Sequence, residues 1–269
     1  MDDGELAALE HDNLIGAMTF VGSHVEGAIL RRGDGVALVA TGLPILLFNQ
    51  VLIEPDGAAP AAIALAVETA RGRGSPFVVN LRIGADDAVV PIVAELGLVP
   101  LSAHPWMPGM ALHPIPRRPA NEVSSTSEPS PGEHAIRRVT DEATLEDHVQ
   151  AAAIGFDMDE ALVRTIMGGS LEAADDVAVY VGYTDGLPVT SGLGLRTGRT
   201  IGVYNIATVP WARKRGYGAA MTRRIVADGA AAGCDVAVLQ ASEMGYPIYQ
   251  RLGYRTVVEY MGYVDPLEA

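Results

Sequence analysis

The chain has 269 residues, 49% of them hydrophobic, which predicts two domains with sizeable cores and argues against global disorder. Its net charge of −14 excludes the broad basic footprint of a nucleic-acid binder and leaves a surface that attracts cationic small molecules, amines among them. No run approaches the roughly 18 apolar residues of a membrane span, and the lone Cys234 excludes an intrachain disulfide, reading instead as a small buried hydrophobe.

The opening segment MDDGELAALEHD is acidic where a signal peptide is basic, so the expectation is a cytoplasmic protein that uses neither membrane nor nucleic acid. Residues 6–18 carry helical periodicity. Residues 25–30 and 36–41 flank Gly33-Asp34-Gly35 and read as a hairpin. Residues 46–54 read as a strand, 58–71 as a helix, 77–82 as a strand, 87–96 as a helix and 98–101 as a strand. The stretch His104-Pro105-Trp106-Met107 could line a pocket, though core or interface packing is the plainer reading.

Residues 113–133 then break the pattern. HPIPRRPANEVSSTSEPSPGE is rich in Pro, Ser and Glu and has no apolar period, the composition of a solvated linker. The expected organisation is a first domain at 1–112, the linker, and a second domain at 134–269.

The second domain opens with a strand at 135–139. Leu145, His148, Val149, Ala152 and Ala153 recur with a helical period, with Thr140 or Asp141 as N-cap. A helix over 158–167 stops at Gly168-Gly169. Strands follow at 177–183, 189–196 and 201–209, with turns at Asp185-Gly186 and near Gly198. A helix spans 216–232 and stops at Gly233. Residues 235–240 read as a buried strand, 246–252 as a short helix closed by Gly253, and 254–264 as the last strand. This is an α/β order with a mixed sheet. Residues 77–100 and 235–257 both read strand, helix, glycine, strand, which points to an internal structural repeat.

The chemistry sits in residues 201–221, IGVYNIATVPWARKRGYGAAM. A strand ends at Pro210, the basic triplet Arg213-Lys214-Arg215 follows, and Gly216-Tyr217-Gly218 opens a helix. Glycines let the backbone approach a ligand, and the amides at a helix start bind anions. The product reads as a pyrophosphate cradle, and the loop taken alone reads equally as an ordinary strand-to-helix turn with basic residues on the surface. No G-x-x-x-x-G-K-[ST], no G-x-G-x-x-G after a first strand and no G-x-S-x-G is present, and the six histidines lack metal-ligand spacing, so no metal is expected.

Arg213-x-x-Gly216-x-Gly218, followed by the strand 236–241, Ser242, Ile248-Tyr249 and Gly253-Tyr254, resembles the GCN5-related N-acetyltransferase (GNAT) family over residues 200–260, with weaker agreement back to Ala135. The resemblance implies an α/β fold of two tandem GNAT-like domains, each a mixed, mostly antiparallel sheet flanked by helices. The first half has Glu54-Pro55-Asp56-Gly57 where the cradle would be, so it is expected to bind no acyl-CoA. Two such domains with only the second equipped resemble the arrangement of the mycothiol synthase type, without fixing a substrate.

The family likeness further implies transfer of an acetyl or short acyl group from acetyl-CoA, or another acyl-CoA, to a primary amine on a small molecule or peptide, by direct attack. Ile206, Ala207 and Thr208 would hold thioester and pantetheine. Arg213, Lys214, Arg215, Gly216, Tyr217, Gly218 and Ala219 would hold the pyrophosphate, with the Arg213 side chain either on phosphate or bracing the loop. Ser242 stands where the family has Asn, and Tyr249 falls at the position of the acid that protonates the leaving thiolate. The family's carboxylate base is missing from the stretch of Gly202, Tyr204 and Asn205. A water chain, Tyr204, Asp157, Asp159, Glu160 or Glu243 would have to serve. A non-catalytic acyl-CoA-binding module and a ligand-free structural domain are the competing readings, and so apolar a chain is compatible with a homodimer.

Overall fold

The computed structural model describes residues 1–101, 107–116, 134–169 and 175–266. Most of the linker and His104, Pro105 and Trp106 lie outside the described residues. Helix α1 (Asp3–Ser23) is capped by Asp2, whose carboxylate accepts the Glu5 N–H at 2.8 Å while Glu5 accepts the Asp2 N–H. Strands β1 (Ile29–Gly33) and β2 (Val36–Ala40) form the expected hairpin through Asp34 and Gly35, both at positive φ. The expected strand 46–54 begins as a 3-10 turn, Leu46–Phe48, and only then becomes β3 (Asn49–Ile53). Helix α2 (Pro60–Arg71), β4 (Val78–Arg82), α3 (Val90–Glu95) and β5 (Val99–Pro100) follow. Strand β6 (Gly109–Leu112) carries no sequence signal, being four residues beside a proline.

The second half contains β7 (Ala135–Arg138), α4 (Glu142–Phe156), α5 (Glu160–Met167), β8 (Val177–Thr184), β9 (Leu187–Thr197), β10 (Thr200–Thr208), α6 (Tyr217–Ala231), β11 (Val236–Gln240) and α7 (Tyr246–Arg251). Asp141 is the N-cap of α4. Residues 254–264 are two strands, not one: β12 (Arg255–Val258) and β13 (Tyr260–Val264).

Two compact units emerge, each discontinuous in sequence. The first holds residues 1–110, 240–247 and 255–269; the second holds 111–239 and 248–254. The linker composition gives no hint that the chain's last strand belongs with its first half. In the first unit the strand order is β1-β2-β3-β4-β13-β5, with β3 and β4 parallel and the rest antiparallel. Val51, Ile53, Ile63, Val67, Val79, Leu81 and Val93 form its core. In the second unit the order is β6-β11-β10-β9-β8-β7, again with one parallel pair flanking a helix, β10 with β11 across α6. The strand–helix–glycine–strand repeat is realised twice, and Gly97 and Gly253 both take positive φ.

The first unit buries a polar cluster. Glu10 and His11 are both fully buried. Gln240 donates to Glu10 Oε1; Glu10 Oε2 lies 2.6 Å from the Tyr260 hydroxyl, which lies 3.0 Å from His11 Nδ1. His11 Nε2 lies 2.7 Å from the Ile53 carbonyl, which only accepts, so Nε2 carries the proton. The Tyr260 hydroxyl donates to Glu10 Oε2. Burial raises Glu10 from its ordinary 4.5 to about 7, against the pull of its Tyr260 and Gln240 donors, and lowers His11 to about 4. The nearby Arg82 guanidinium, engaged two-pronged by Asp86, offsets the rise at Glu10 only in part and pushes His11 further down.

A raised acid in the folded state contributes stability below its ordinary value and loses it as pH rises through about 7. Glu10→Gln copies the protonated acid's shape and does not ionise. Its stability relative to the native chain should improve from pH 5 to pH 9 by roughly 2 kcal/mol in thermal or denaturant melts. A difference that is the same at both pH values would show that Glu10 is ionised in the folded state.

Candidate active site

The site grows out of β10. Strand β10 pairs with β9 from Thr200 to Tyr204, slips, and resumes with Ala207 opposite Ser191. The slip puts one extra residue on β10, a β-bulge. At the bulge Asn205 sits at φ 54, the left-handed region that Asn tolerates better than most residues. On its other side β10 pairs with β11 only from Thr200 to Gly202, opposite Val236 to Val238. Beyond that point the parallel ladder ends, and Ile206, Ala207 and Thr208 belong to no ladder on that side.

A short 3-10 turn, Pro210–Ala212, then reverses the chain, with Lys214 at φ 63 and Gly216 at φ 83. Gly216 is the N-cap of α6 and no side chain caps that end. The first intrahelical bond there is Ala220 N–H to Gly216 O. The amides of Tyr217, Gly218 and Ala219 thus have no intrahelical acceptor, and they face outward with the positive end of the helix dipole. Arg213, Lys214, Arg215 and Gly216 are all exposed.

Arg213 braces the loop. Its Nε–H donates to Thr208 O at 3.1 Å and its Nη2 to Gly155 O at 2.9 Å, tying the turn to both β10 and α4. Lys214 and Arg215 remain as the outward charges. Tyr217 stacks on His134, ring centroids 4.2 Å apart. A Cβ on Gly218 would lie 3.6 Å from Ile206 Cγ2 and 3.7 Å from Thr208 Oγ1, so the loop and the end of β10 meet there.

Tyr249, on α7, connects to the same helix start. Its hydroxyl is hydrogen-bonded to Thr222, whose own hydroxyl donates to Gly218 O at 3.0 Å. Burial lifts the phenol to about 12. Thr222 carries no sequence signal; it reads as one more residue of an amphipathic helix. Ser242 follows β11 in the first compact unit, where its hydroxyl accepts the Gly245 N–H at 3.2 Å and caps the turn into α7.

The candidate bases are dispersed. Asp157 ends α4 at φ 56, Asp159 caps α5 through the Leu162 N–H, and Glu160 pairs with Arg164. Tyr204 lies half-buried one residue before the bulge, and Glu243 is exposed. Among the described residues no group of three or more His, Cys, Asp or Glu could hold a metal. Cys234 is buried just before β11.

Residues 177–257 match the acetyltransferase (GNAT) domain. No curated protein matches the chain. Among solved structures, a GCN5-related N-acetyltransferase from Kribbella flavida is similar over 93% of this chain and 95% of its own, at 19% identity and a TM-score of 0.64. Another, from Sphaerobacter thermophilus, is similar over 90% of this chain and 83% of its own, at 14% identity and a TM-score of 0.57. A conserved protein of Staphylococcus epidermidis ATCC 12228, described as functionally unknown, covers 89% of this chain and 94% of its own at 14% identity and a TM-score of 0.57. At such identities the likeness is one of fold, and it runs the length of the chain.

Gly216 tests whether the cradle is set by backbone conformation. No atom lies within 4 Å of a Cβ placed there, so space is available, but φ is 83°. Gly216→Ala should cost about 1 kcal/mol in denaturant melts, and Gly216→Asn less. Equal stability of all three would mean that the turn relaxes out of the left-handed region.

Proposed function

We propose that this chain, which carries a GNAT acetyltransferase domain at residues 177–257, transfers an acetyl or other short acyl group from an acyl-CoA to a primary amine. The observation that carries the reading is the uncapped start of α6 at Gly216 beside the unladdered end of β10. A diphosphate needs convergent donors and positive potential, and the amides of 217–219 with Lys214 and Arg215 supply both. Arg213 serves as the brace. The main chain of Ile206, Ala207 and Thr208 supplies donors and acceptors for pantetheine, and an amide there for the developing oxyanion.

In the reaction the amine nitrogen bonds to the thioester carbon, the C–S bond breaks, and the nitrogen's proton ends on sulfur or solvent. A thiol has an ordinary pKa of about 8.5, so full transfer from a phenol near 12 is uphill by roughly 5 kcal/mol. Tyr249 therefore acts as a hydrogen-bond donor to the departing sulfur, exchanging its bond to Thr222 for one to sulfur as charge develops, and the proton released by the amine completes the thiol. The chain's acidic surface favours a cationic acceptor without selecting one. Residues 134–269 supply the cofactor-binding and acyl-transfer residues, and residues 1–112 bind no acyl-CoA. In the first half Pro60 occupies the first helical position of α2, which removes one amide donor, and Glu54 stands nearby, paired with Arg32.

Calorimetric titration with acetyl-CoA should show one site per chain, weakened by Lys214→Ala and Arg215→Ala and by added salt. Absence of any binding would remove the cradle. With an accepted amine, Tyr249→Phe should lower turnover by about tenfold or more with affinity for acetyl-CoA nearly unchanged. Equal turnover would exclude Tyr249 from the mechanism. Binding without thiol release across a wide amine panel would leave an acyl-CoA-binding module instead of an enzyme.

A further inference from the structure

The bulge in β10 is held by a side-chain chain that the acyl-transfer reading does not use. His148 on α4 is fully buried. Its Nδ1 lies 2.8 Å from the Tyr180 carbonyl of β8, and its Nε2 lies 2.9 Å from Asn205 Nδ2. The carbonyl only accepts, so Nδ1 carries the proton and the Nε2 lone pair receives the Asn205 amide. Burial agrees, lowering His148 to about 4 and keeping the ring neutral. With its one lone pair committed to an amide that cannot pass a proton on, His148 cannot serve as the base. Its work is mechanical.

Asn205 is fixed at both ends. Its side chain is tied to His148, and its carbonyl accepts the Ser191 hydroxyl at 2.9 Å. A trans peptide sets C=O and the following N–H in opposite directions. With the Asn205 carbonyl directed at Ser191, the Ile206 N–H is directed away from it. A left-handed Asn costs free energy in a strand and persists only where its surroundings hold it.

The geometry points to His148 as a positioning residue that clamps Asn205 in the left-handed bulge and so aims the Ile206 N–H at the thioester carbonyl. The inference rests on the acyl-CoA reading above. It concerns the acyl group alone: coenzyme A lacks the carbonyl, so the clamp should matter to acetyl-CoA and not to CoA.

The test compares calorimetric affinities for acetyl-CoA and CoA in the full chain. His148→Leu should weaken acetyl-CoA by about fivefold or more, the loss of one hydrogen bond, with CoA within about twofold. His148→Gln, whose Oε1 can accept the Asn205 amide, should restore the acetyl-CoA preference. Asn205→Ala leaves the His148 ring in place and should show the same selective loss, which keeps the test open if His148→Leu does not fold. In an Asn205→Ala background a His148 change should have no further effect on that preference. Equal weakening of both ligands, or of neither, overturns the inference and leaves the acyl-CoA reading standing. A native chain that binds neither ligand overturns both.

Discussion

The second unit depends on a strand that stops pairing halfway. Up to Gly202, β10 is an ordinary central strand, laddered to β9 on one side and β11 on the other. Past that residue the ladder to β11 ends, while the bulge at Asn205 changes the facing of everything after it. Main-chain donors and acceptors without a ladder must be satisfied by something else. Under the proposed reading, a peptide-like ligand arm such as pantetheine would supply amides at strand-like spacing, and the helix start at Gly216 would receive its diphosphate. One interruption of pairing would then set the run of free main-chain groups, and one left-handed glycine the anchor.

Much of this was legible. The strand–loop–helix order around Arg213, Lys214, Arg215 and Gly216 follows from Pro210, the basic triplet and two glycines, because turn chemistry is local. Asp141 and Asp159 announce their helices for the same reason. What sequence could not show is what depends on distant partners. His148 reads as one more inward-facing position of α4, and nothing in its neighbours says that its ring meets Asn205, 57 residues on. Asn205 carried a faint signal, an amide in a run of strand-forming residues where Asn is depleted. Arg213 was ambiguous in sequence because its two acceptors, Thr208 O and Gly155 O, are main-chain atoms that any residue could provide.

The three basic residues illustrate how one charge cluster divides its labour. Arg213 gives its fork to carbonyls, where a planar donor set is worth more than a point charge. Lys214 and Arg215 stay in water, where their charge acts over a Debye length of roughly 10 Å. Against a net −14 they form a small positive island. The buried titratable groups follow the opposite rule. Burial disfavours charge on Glu10, His11 and His148, and each is committed to a defined hydrogen bond.

Strand β13 lies between β4 and β5 in the first unit's sheet, although Tyr260 comes 160 positions after Pro100 and 178 after Arg82. During synthesis on the ribosome the first half emerges with a gap in that sheet. The facing edges of β4 and β5 wait, unpaired, for residues 260–264, which are made only after strands β7 to β11 of the second unit. The first half is made early but finished late, and a nascent chain stalled within the second half would display a sticky open edge for chaperones or neighbouring chains to seize.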